Sequence, residues 1–173
     1  MQKKDSFRTQ NLITIAFLIA LEIVLTRFVS INTSFLRIGF GFLPIAVCGI
    51  LYGPLAAGFA YAFGDLLGGF LFPSGPFFPG FTLSAFLTGL IYGYILHNHK
   101  ITFGRTFFAC SIVMLGVNLV LGTCWISILY GKSFMVLLPA RIFKELVMIP
   151  ICTFLIMAVD KLVLRFLHTK KAV

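Results

Sequence analysis

Six stretches of the sequence run for most of a bilayer's width with almost no charge in them, and that pattern excludes a water-soluble globule. Residues 12–28 carry only Glu22 and Arg27, residues 39–52 none, residues 55–72 only Asp65, and residues 81–96 and 106–130 none. The last stretch, 138–166, keeps its charges near its two ends. Lipid offers no partner to a backbone N–H or C=O, so each stretch must satisfy its own groups by forming a helix. Charged residues are 11% of the chain, less than half the roughly 25% of a soluble domain, and too few to cover one. The expected fold is an all-α integral membrane protein. It is one domain over residues 1–173 with six transmembrane helices, at about 11–29, 39–53, 55–72, 80–97, 106–130 and 138–166. The second and third stretches meet at Gly53-Pro54. A single kinked helix there, giving five spans and termini on opposite sides, is the alternative reading.

The formal charge of +9 would point to nucleic acid in a soluble protein, but its distribution gives it another meaning. Lys3, Lys4, Arg8, Lys100, Arg105, Lys161, Arg165, Lys170 and Lys171, nine of the 14 basic residues, fall on one face of a six-helix bundle. Positive residues gather on the cytoplasmic side, so both termini are expected in the cytoplasm and no nucleic-acid partner is needed. Residues 1–10 are polar and the first apolar run is of spanning length without a small-residue cleavage site, so no cleavable leader is expected. Cys48, Cys110, Cys124 and Cys152 stand singly in apolar runs, without metal or redox spacing. They read as small hydrophobes, and neither a metal nor a cofactor is expected. The 16 glycines fit close helix packing.

Five cations are left over, Arg27, Arg37, Lys132, Arg141 and Lys144, with the acids Glu22, Asp65 and Glu145. In the six-helix arrangement all eight lie at outer helix ends or in the outer half of the membrane. A charge near the bilayer centre costs about 2.5–3.5 kcal/mol, so a pairing or a function must hold them. Arg141, Lys144 and Glu145, at i, i+3 and i+4 just inside Pro139, share one helix face. They read either as interfacial anchors reaching back to water or as the cationic wall of an outward-facing cavity.

Asp65 favours the cavity, since it lies roughly 10 Å from the nearest loop, too deep for its short side chain to reach water. Glu22 is similarly deep. The outer rim, with Arg37 and Lys132 and no acidic loop residue, would draw a small anionic ligand. Phe35, Phe72, Phe77, Phe78 and Phe81, in or beside the outer loops, serve as belt anchors or as stacking surfaces for a planar ligand. Asn118 and Trp125, seven apart on the fifth helix, share a face and can both hydrogen-bond, which suits a heteroaromatic ring. Asn118 equally suits interhelical bonding.

Four segments, RIGFGFLPIA from Arg37, GILYGP from Gly49, DLLG from Asp65 and FPSGPFFPGFTLSAFL from Phe72, together resemble the folate-specific S components of energy-coupling factor (ECF) transporters. Their order and spacing match over nearly the whole chain. The resemblance implies a six-helix protein with cytoplasmic ends that captures a vitamin from outside. Its outer loops one, three and five cap the ligand, and the whole component topples to release it inward. It implies partners as well: a membrane coupling subunit and two cytoplasmic ATPases, with no ATPase in this chain. Docking in that family uses small residues on the first helix, here Ala16 and Ala20, which stack at i and i+4.

The expected function is therefore capture of folate or a related pterin by a subunit that is not an enzyme. Glu22, Arg27, Arg37, Asp65, Phe72, Phe77, Asn118, Trp125, Arg141, Lys144 and Glu145 are the candidate ligand residues. The glutamate tail suits Arg37, Lys132, Arg141 or Lys144, and a carboxylate such as Asp65 or Glu145 would accept from the pterin's amino group and ring N–H. Alternatives are a different vitamin, a membrane scaffold, or a small intramembrane enzyme such as a lipid-modifying transferase or aspartyl peptidase. The enzyme reading lacks two acids converging at one depth, and His97, His99 and His168 fall in cytoplasmic segments.

Overall fold

The computed structural model describes residues 2–32, 37–73, 77–131 and 133–171, with side chains over 9–30, 39–73, 77–131 and 133–162. Phe35, Lys132 and the side chain of Arg37 lie outside the described residues, as do the side chains of the cations before residue 9 and after residue 162.

The chain begins with α1 (Gln2–Arg27) and a two-residue antiparallel pairing, β1 (Ile31–Asn32) with β2 (Arg37–Ile38). Then come α2 (Phe42–Tyr52), α3 (Pro54–Leu71) and α4 (Pro79–Leu96). Prolines open α3 and α4, where a missing N–H costs nothing. Gly53 turns the chain between α2 and α3 at φ 88°, a conformation glycine adopts without strain, so two helices form there rather than one kinked one. The fifth apolar stretch is a continuous rod of α5 (Phe103–Ser111), a π-helical segment (Ile112–Leu121) and α6 (Gly122–Tyr130). The last helix, α7 (Phe134–Lys171), has 38 residues and two internal prolines, Pro139 and Pro150.

Five of these segments are long and apolar enough to cross a membrane: Thr9–Arg27, Pro54–Leu71, Pro79–Leu96, Phe103–Tyr130 and Phe134–Leu162. The second expected span is not. α2 has 11 residues, about 16 Å of helix, because residues 39–41 stay outside it. Gly39 and Gly41 are poor helix formers, and the pairing of Arg37–Ile38 with Ile31–Asn32 takes up the chain just before them.

Contacts along the helices show that they alternate in direction. Glu22 and Arg27 of α1 meet Gly64 and Gly68 of α3, so these two run in parallel. Gly89 and Gly93 of α4 meet Ala57 and Pro54 of α3, in the opposite sense. α4 runs against the fifth rod, with Ser84 bonded to Trp125 and Tyr92 against Cys110. α7 runs against that rod in turn, with Arg141 bonded to Asn118 and Phe154 near Phe103.

α2 is the hub. Its Ile45 and Cys48 pack with Leu18 of α1 and with Ala57 and Ala60 of α3. Its Phe42 and Ala46 join a second core, built with Tyr92, Leu96, Cys110, Met148 and Cys152 among others. The side chains of Phe17, Phe63, Phe70, Phe108, Phe143 and Phe154 lie exposed on the outside, the distribution expected of a bundle whose solvent is lipid. Cys48, Cys110, Cys124 and Cys152 are free thiols.

Candidate functional site

Apart from Asp160, toward the far end of α7, the buried charges among the described side chains gather at one end of the bundle, where α1, α3 and α6 finish and α4 and α7 begin. They form two centres, one on each flank of α4.

The first lies between α1, α3 and α4. Arg27 Nη2 stands 3.8 Å from Asp65 Oδ1 and donates to the Asp65 carbonyl at 3.4 Å. The Thr82 hydroxyl of α4 donates to Asp65 Oδ2 at 2.8 Å. A Cβ on Gly68 would fall 2.9 Å from Arg27 Nε, so the missing side chain is what admits the guanidinium. Glu22, 1% exposed, sits one helical turn deeper. It accepts from the Thr26 hydroxyl at 2.6 Å and fills the notch left by Gly64, whose Cβ would stand 3.1 Å from its Cδ. If all are ionised, this centre holds two acids and one cation.

The second centre has the opposite balance. Lys144 Nζ donates to Glu145 Oε1 at 2.7 Å, and Glu145 has no exposed surface. Arg141, 7% exposed, donates from Nη2 to the Asn118 carbonyl at 2.9 Å. Arg141 is thus buried, while the Lys144 side chain keeps 13% of its surface exposed. Two cations and one acid thus stand together in this centre, in a setting where burying charge is costly.

Between the centres, Trp125 donates from its indole N–H to the Ser84 hydroxyl at 3.0 Å and lies 5.5 Å from the Phe78 ring, tilted by 46°. Gly80 makes the room: its Cβ would meet the indole at 2.6 Å. Asn118 turns its amide to Met114 Sδ, 3.4 Å away on its own helix. The face it was expected to share with Trp125 rests on a regular helical period, which the π-helical segment interrupts. Phe72 packs edge-on against Phe28 at 5.2 Å, and Phe77 stacks on Phe70 at 5.4 Å. Ala16 and Ala20 are exposed on α1, with Ala20 two residues before Glu22.

Reading the sequence missed Thr26, Thr82, Ser84 and the glycines Gly64, Gly68, Gly80 and Gly122. The glycines carried a usable signal: Gly64 and Gly68 bracket Asp65 at i and i+4, so they face α1 together.

Lipid-clad helices with ionic groups buried at one end are the build of a multi-pass transport protein. The chain belongs to the family described as "ECF transporter, substrate-specific component", whose match spans residues 10–159. It is a family of transport components rather than enzymes. Among curated relatives, the "Folate transporter FolT" of Clostridium novyi (strain NT) is 47% identical over 152 residues, 88% of each chain. The "Folate transporter FolT" of Leuconostoc mesenteroides subsp. mesenteroides is 32% identical over 149 residues, 83% of this chain and 80% of that one. Among solved structures, a crystal structure of FolT bound with folic acid superposes with a TM-score of 0.84 at 35% identity, covering 87% of this chain and 92% of that one.

Proposed function

We propose that this chain is the substrate-binding membrane subunit for folate or a related pterin, and that the two centres flanking α4 are its ligand site. The pairing of two cations, Arg141 and Lys144, at one place in the bundle carries the reading, because such a pair suits the carboxylate tail of folate. Trp125 and Phe78 offer aromatic faces to a planar ring, and Asp65, Glu22 and Arg27 offer polar groups on the other flank. Phe72, Phe77, Asn118 and the Arg37 of the first loop complete the ligand set. The two relatives named folate transporters and the neighbour bound with folic acid support the same reading.

The chain forms one domain over residues 1–173, spanning the cell membrane six times. Alternating helix directions put the start of α1 and the end of α7 away from the site, where nine cations concentrate. That end faces the cytoplasm, so the site faces outward beneath loops one, three and five. A membrane coupling subunit and two ATPases supply the energy for import. Binding of radiolabelled folic acid to the purified protein is the test. Saturable binding, with thermal stabilisation by folic acid and not by other vitamins of a panel, is expected; stabilisation by a different vitamin alone would overturn the proposal.

Ala16 and Ala20 give the coupling subunit a close approach to α1. Ala16→Leu/Ala20→Leu is expected to abolish co-purification with that subunit while leaving folic acid affinity of the isolated protein within about twofold. Retained co-purification would move the docking face elsewhere.

A further inference from the structure

The carbonyl that holds Arg141 is made available by a break in helix geometry. In an α-helix the N–H of residue 122 would bond to the carbonyl of Asn118, four residues back. Here the Gly122 N–H is directed to Val117 O and Leu119 O instead, and Asn118 O accepts from Arg141 Nη2 at 2.9 Å. The guanidinium reaches that carbonyl by passing over Gly122, where a Cβ would stand 2.7 Å from the same Nη2. The π-helical segment turns the Gly122 N–H away from this carbonyl, and the glycine clears the approach to it. Short π-helical segments are frequent at functional sites for this kind of reason.

We infer that Gly122 is a positioning residue of the ligand site, setting where the Arg141 guanidinium lies and, through it, the affinity for an anionic ligand. The inference rests on the folate reading above. Arginine recognises a carboxylate through a planar fork of donors, so an in-plane shift of a few tenths of an ångström degrades a bidentate contact in a way that a flexible ammonium would absorb. The fold itself does not need Gly122 to be glycine. The only atom a Cβ would meet closely is the tip of a long side chain, whereas at Gly89 and Gly93 it would meet the backbone of α3.

The decisive experiment is a double-mutant cycle on the purified full-length protein, with folic acid affinity and ligand-free melting temperature as readouts. Gly122→Ala is expected to weaken folic acid binding about ten- to a hundredfold with the melting temperature unchanged. In an Arg141→Lys background, which has no Nη2 to displace, the same substitution is expected to add no further loss. Gly116→Ala, in the same rod with nothing within 4 Å of its Cβ, serves as the neutral control. Equal losses from Gly122→Ala in both backgrounds, or no loss in either, would overturn the inference while leaving the folate reading intact. Wild-type protein that binds no folic acid would overturn both, and that result is read before any substitution is made.

Discussion

Lys144→Met is expected to lower folic acid affinity by about a hundredfold or more, and to do so whether or not the protein also loses stability. Lys144 Nζ is the partner of Glu145 Oε1 at 2.7 Å. The other oxygen, Oε2, is buried with no hydrogen-bond partner among the described residues. Removing the ammonium takes from a buried carboxylate its hydrogen-bonded partner, leaving only the Arg141 charge nearby, at a cost of about 3–5 kcal/mol, unless Glu145 takes up a proton. If Glu145 stays ionised the centre falls from a net charge of +1 to 0; if it takes up a proton Arg141 keeps the centre at +1, but the ammonium that would meet the ligand's anionic tail is gone. Stability and function separate in Lys144→Met/Glu145→Leu, which replaces the pair by apolar groups of similar volume. Melting is expected to return to near the wild-type temperature, since such replacements are often neutral or better, while affinity stays low. 6-Methylpterin, which has the ring without any carboxylate, should bind the wild type and Lys144→Met with similar affinity. Titration calorimetry and thermal melts in detergent measure both quantities, and a double variant that binds folic acid as the wild type does would show the pair to be structural only.

Gly93→Ala is expected to produce the largest loss of stability among single-methyl additions. A Cβ at Gly93 would stand 2.6 Å from Pro54 N and 2.8 Å from Gly53 C, and one at Gly89 would stand 2.7 Å from Gly58 Cα. These neighbours are backbone atoms of α3 and its entry turn, so they can yield only if the whole helix pair separates. Overpacking of this kind costs about 3 kcal/mol, or about 10 °C in melting temperature for a chain of this size. Gly104→Ala, with nothing within 4 Å, should melt as the wild type does. If Gly93→Ala also melted unchanged, the close approach of α3 and α4 would not be a source of stability, and the packing role given to these glycines would fall.

The helices were legible because lipid allows few alternatives: an apolar stretch of bilayer length has to be helical. The shortness of α2 was not, since residues 39–41 are as apolar as the helix they precede, and hydropathy does not register where helix geometry starts. At the site, Lys144 and Glu145 are neighbours in sequence and were found as a pair. Arg141 was expected on the same face, and one partner it has is a backbone carbonyl 23 residues away, which has no side-chain signature. Thr82 and Ser84 were passed over for a similar reason. Hydroxyls in apolar helices commonly bond to the carbonyl four residues back, as Thr88, Ser111 and Thr153 do here, and nothing in the sequence marks the two that reach across to Asp65 and Trp125. The glycines looked alike in the sequence. Only the structure separates those that seat backbone against backbone from those that seat a charged side-chain tip.

The short α2 has a consequence for how the protein makes room. Its first turn is level with Glu22, because Gly41 and Gly64 close on that carboxylate from two sides, whereas α3 continues for seven more residues to Leu71. About 10 Å of membrane depth is therefore spanned by α3 but not by α2. A solute chamber in most helical proteins is carved, by bending rods apart or breaking one in the middle. Here the pillar itself is short: α2 starts about two turns below the end of α3, which leaves depth for a solute without bending or breaking a rod.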